Sequence, residues 1–70
     1  MKYKVGDCFV RVGEMYDGTG ADYIRVISTN ILDYRVVYAD GDIWWTSEEY
    51  LDQTFTPISR EEFDIYKMSR

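Results

Sequence analysis

Carboxylates are the residues of this chain with most chemical potential, because it has no histidine and a single cysteine, Cys8. Without histidine, the usual base–nucleophile pairs and common zinc sites cannot be assembled. Cys8 stands in the strand-like run CFVRV, with Arg11 the only base close by. A reactive thiol needs an electropositive setting, so Cys8 reads as a small buried hydrophobe of a reducing compartment. The acids include two adjacent pairs, Glu48/Glu49 and Glu61/Glu62. Neighbours on a helix diverge by about 100° and do not converge on one reacting atom. Both pairs read instead as complements to helix N-termini. Asp40-Gly41-Asp42 lacks the further oxygen ligands and the distal glutamate of a calcium loop. Gly18-Thr19-Gly20 lacks the lysine and following helix of a phosphate-cradling loop. No metal, cofactor or catalytic residue is expected, and the chain reads as a non-enzyme.

The elements that must position these side chains are mostly strands. Alternating runs over Cys8–Val12, Tyr23–Ser28, Asp33–Ala39, Ile43–Thr46 and Phe55–Ile58 predict five short strands. Residues 13–22 hold three of the five glycines and no periodicity, which predicts a loop of the long kind that carries binding contacts. Asp40-Gly41 between the third and fourth runs is a strong hairpin signal. Ser47 ahead of Glu48 and Glu49 predicts a capped helical or 3₁₀ turn over Ser47–Asp52. Ser59 with Glu62 three residues on has the capping-box pattern and predicts a terminal helix over Arg60–Met68, with Phe63 and Tyr66 or Lys67 at helical spacing. Pro57 marks the fifth strand as an edge. Seventy residues with 17 % aromatics make one small domain, residues 1–70, that buries its area through rings. The N-terminal MKYKVGDCFV has no apolar run of the length a secretion signal needs, and the expected location is the cytosol.

The layout is thus a mainly β, five-stranded antiparallel barrel or bent sheet with a short C-terminal helix. KVGD before the first strand, the central hairpin closed by DGD, and FTPI after a helical turn resemble an SH3-like barrel. They also resemble the short proteins that bacterial phages and mobile elements encode. That resemblance implies a fold and a setting, not a reaction.

Charge divides the chain. Residues 1–39 carry five acids and five bases, whereas residues 40–64 carry eight acids against Arg60 alone, and the whole has a net charge of −5. Such an acidic balance opposes nucleic-acid binding, whose affinity comes from a basic field. The divide falls at DGDIWWTSEEY, where Trp44 and Trp45 must point to opposite faces of a strand. Asp42 and Thr46 share a face with Trp44, so that face is expected in solvent, with Ile43 and Trp45 in the core. Two roles then fit the acidic half: a solvated face, or a surface steered towards a basic groove on another protein. The expected function is a non-enzymatic, acidic protein-binding module. In the phage-like setting the resemblance implies, it is an inhibitor that mimics nucleic acid and engages a basic surface of a host protein. Its contact residues are Trp44, Tyr38, Asp40, Asp42, Glu48 and Glu49. A nucleic-acid-binding barrel using a face of Phe9, Arg11, Tyr23 and Arg25 is the first alternative, and a homodimeric structural component of a phage is the second.

Overall fold

The computed structural model describes the backbone of residues 2–68 and the side chains of residues 2–65. Five strands form one antiparallel sheet: β1 (Cys8–Arg11), β2 (Tyr23–Thr29), β3 (Asp33–Tyr38), β4 (Ile43–Ser47) and β5 (Phe55–Ile58). Their order in the sheet is β4-β3-β2-β1-β5. Helix α1 (Glu48–Thr54) joins β4 to β5, and α2 (Arg60–Met68) follows β5. A 3₁₀ turn over Gly20–Asp22 leads into β2.

The strands and the terminal helix lie where alternation and capping predict them. The sheet is not closed, however, so the bent sheet stands and the barrel does not: β4 and β5 remain its two edges. Helix α1 runs between those edges, and its fully buried Leu51 covers the side of the core that closure would have covered. It extends through Thr54, past the single turn expected. Ser47 caps it as predicted, its Oγ accepting the Tyr50 N–H at 3.1 Å. Ser59 Oγ likewise accepts the Glu62 N–H at 3.1 Å. Of the residues expected on α2's buried stripe, Phe63 is buried; the side chains of Tyr66 and Lys67 lie outside the described residues.

Directly paired residues on neighbouring strands point to the same side of a sheet, so the register sorts the core into two layers. On one face, Phe9, Ile24, Val26, Tyr34, Val36 and Phe55 meet Leu51 of α1. Tyr3 seals this layer with its ring edge-on to Phe9, 4.8 Å between centroids. On the other face, Cys8, Tyr23 and Ala39 meet Phe63 of α2. Cys8 is therefore the packing residue the sequence suggests, and its burial pushes the thiol pKa up, away from reactivity. A bulge at Ile27 shifts the β2–β3 register between Val26 and Ser28 and bends the sheet. The β3–β4 connection turns at Gly41, whose φ of +102° lies where a side chain is strained. The Tyr38 N–H donates to the Asp42 carbonyl at 2.7 Å and the Gly41 N–H to the Tyr38 carbonyl at 2.9 Å. No described helix is long and apolar enough to cross a membrane.

Candidate functional site

Strand β4 lies beyond both layers of the core. Helix α1 meets β4 and β5 and sends Leu51 into the core cluster of Val36 and its neighbours, while α2 rests on β1 and β2, and the side chains along β4 stay outside both layers. Ile43, Trp44 and Trp45 are accordingly 49, 62 and 53 % exposed. The assignment of Ile43 and Trp45 to the core is corrected: alternation separates two faces, but at this edge neither face has a layer above it. The faces themselves are also exchanged. Trp44 pairs with Val36 and points to the α1 side of the sheet, whereas Trp45 pairs with Arg35 on the α2 side. The Arg35 guanidinium lies 5.8 Å from the Trp45 ring centroid, a cation–π contact at the surface.

The other expected contact residues divide. Asp42 and Glu49 are exposed, one at each end of β4. Asp40 is half-buried in the turn, and its Oδ1 accepts the Asp42 N–H at 3.2 Å. Tyr38 is half-buried, packs on the core cluster, and has its hydroxyl pKa raised by that burial. Glu48 is not a free contact residue. Its Oε1 accepts from the Tyr34 hydroxyl at 2.6 Å and from the Lys2 N–H at 2.9 Å, and the Tyr34 bond holds its pKa below the ordinary range. The Lys2 ammonium pairs with Asp52 at 3.2 Å, and Asp52 also accepts from the Tyr3 hydroxyl. Glu48 and Asp52 thus tie the segment around Tyr3 to α1. The acids of α2 belong to the other side of the sheet, where Arg60 pairs with Asp64 at 3.1 Å. The acidic half of the chain is therefore not one surface.

The face of Phe9, Arg11, Tyr23 and Arg25 does not exist as such. Phe9 pairs with Ile24 and Val10 with Tyr23, which places Phe9 and Arg11 on one side of the sheet and Tyr23 and Arg25 on the other. Both rings are buried. Arg25 lays its guanidinium 6.0 Å from the Phe63 centroid, the role of an arginine stem covering a ring.

Arg11 has a partner that its neighbours in sequence do not reveal. Asp22, only 2 % exposed, accepts from Arg11 Nε at 3.2 Å through Oδ1. Its Oδ2 accepts the backbone N–H groups of Asp17, Gly18 and Thr19 at 2.9, 2.7 and 3.2 Å. The glycine-rich segment is therefore folded around one buried carboxylate rather than left as an open connection. Thr19-Gly20-Ala21-Asp22 is itself a capping box, and that spacing is the signal that could have found it.

No family model, curated protein or solved structure matches the chain. The site is defined by its own geometry: an uncovered edge strand with two exposed tryptophans and a carboxylate at either end.

Proposed function

We propose that this chain is a non-enzymatic, acidic protein-binding module that engages a basic, nucleic-acid-binding surface of a partner protein through β4. The phage-like resemblance makes that partner a host protein and the module its inhibitor. The observation that carries the reading is the exposure of Trp44 and Trp45, one on each face of an edge strand. Burying a tryptophan on association releases a large apolar area, and tryptophan is the residue most enriched where binding energy concentrates. Asp42 and Glu49, with Asp40 behind them, supply an acidic rim that speeds encounter with a basic surface and orients it. Glu48 leaves the contact set for its role in holding Tyr34 and Lys2. The alternative nucleic-acid surface loses support, because its four residues are split between two faces and two of them are buried.

The test is retention of proteins from a bacterial host lysate by tagged protein, followed by affinity measurement with the retained protein. Trp44→Ala is expected to weaken that affinity by about 30-fold, the scale of a hot-spot truncation. Raising salt from about 0.1 to about 1 M shortens the Debye length threefold and is expected to weaken it further. A complex indifferent to both changes would overturn the reading.

A further inference from the structure

The hydrogen-bond pattern along β4 specifies how a partner can attach. The bond from Tyr38 N–H to Asp42 C=O fixes the alternation of the β3–β4 ladder. With the register Val36↔Trp44 and Tyr34↔Thr46, Trp44 and Thr46 turn their backbone groups inward to β3. Ile43, Trp45 and Ser47 turn theirs outward, where no described strand meets them. The outward carbonyl of Ser47 is the first acceptor of α1, which leaves both groups of Ile43 and Trp45 and the N–H of Ser47. Sheet edges of this kind pair with other chains unless charge, proline or a bulge blunts them. The opposite edge strand, β5, contains Pro57. Strand β4, with the sequence IWWTS, contains none of these devices.

We infer that β4 takes an extended segment of the partner as a sixth strand, one with apolar side chains at alternate positions and lysine or arginine at its ends. This rests on the proposed protein-binding function and names the chemistry of its partner. An added strand presents side chains to both faces at once, and β4 has one tryptophan on each face to receive them. The strand itself is uncharged, while Asp40 and Asp42 precede it and the exposed Glu49 stands just beyond its end. Basic ends on the incoming segment complete that pattern. A second copy of β4 does not: antiparallel self-pairing centred on Trp45 brings Asp42 of one copy to the end of β4 where the exposed Glu49 of the other stands, acid towards acid.

The experiment uses the full chain and a synthetic peptide of alternating threonine and valine flanked by lysines, compared with the same peptide carrying proline in place of each valine. Binding is read by titration, and by hydrogen exchange at the amides of Ile43 and Trp45. The valine peptide is expected to protect both amides and to bind at least about 10-fold more tightly than the proline peptide, which cannot continue a ladder. Ile43→Pro removes one outward N–H at the first position of the strand and is expected to weaken binding about 10-fold relative to Ile43→Ala, which keeps it. Should Ile43→Pro fail to fold, the peptide pair still decides. Equal binding of both lysine peptides overturns strand addition but leaves the salt-dependent acidic contact standing. Failure of both to bind overturns the inference. So does dimerisation of the chain alone with the same amides protected, because the edge is then filled by a second copy.

Discussion

Asp22 concentrates more of the local structure than any other polar residue described. Its carboxylate satisfies three backbone donors and the Arg11 guanidinium from inside the protein. Removing one partner of a buried ion pair typically costs about 3–5 kcal/mol, because the other is left uncompensated. Total stability of a small domain is of the same order, about 5 kcal/mol. Asp22→Ala is thus expected to leave the chain largely unfolded or close to its midpoint without denaturant, as urea titration followed by circular dichroism would reveal. A loss below about 1 kcal/mol would contradict the role assigned to it. Glu48, Asp52 and Asp17 lie nearer the surface. Each has its pKa lowered, chiefly by a hydrogen bond from Tyr34, Tyr3 and Thr19 respectively. A carboxyl that is more acidic folded than unfolded contributes stability above its unfolded pKa and loses it as pH falls through the folded one. Stability is therefore expected to be flat near neutrality and to fall below about pH 4. Tyr34→Phe should flatten that fall by removing the bond to Glu48, and urea midpoints measured across pH would reveal an unchanged slope if the bond were idle.

At the scale of the element, alternation and turn chemistry made five strands and the terminal helix legible. Each depends on neighbours in sequence, and so does Gly41, whose positive φ the Asp-Gly pair announces. Gly41→Ala puts a side chain into that conformation and is expected to cost about 1–2 kcal/mol in thermal or urea unfolding, although nothing lies within 4 Å of the new Cβ. A neutral result would mean the turn relaxes to negative φ. The placement of Trp45 was not legible for a physical reason. Period-two alternation distinguishes the sides of a strand, yet whether a side is buried depends on what the rest of the chain lays over it. Helix α1 buries Leu51 in the core and leaves Ile43, Trp44 and Trp45 exposed, and no pattern within Ile43–Ser47 encodes that outcome. Phe9 and Tyr23 illustrate the same limit, because the register between β1 and β2 decides that they face apart. Asp22 was missed through composition: an acid in a glycine-rich run looks solvated, and only its spacing from Thr19 suggests otherwise.

For the whole molecule, the sheet separates the parts that hold the fold together from those available to a partner. Leu51, Tyr34 and Val36 lie inside, whereas Trp44, one strand further out, has no layer above it. Leu51→Ala is expected to cost about 2–5 kcal/mol, and Trp44→Ala less than about 0.5 kcal/mol. Comparable losses in urea unfolding would place Trp44 in the core after all. The uncovered position of β4 also decides what this protein looks like in an optical experiment. Both indoles are in contact with water before unfolding, whereas Tyr23 and Tyr34 are enclosed and become wet only when the chain opens. Tryptophan emission should therefore already peak near the wavelength of a hydrated indole in the native state and shift little in denaturant. The same emission should move to the blue when a partner covers β4. Nature has placed the brighter chromophores of this chain where they are nearly blind to folding and sensitive to company.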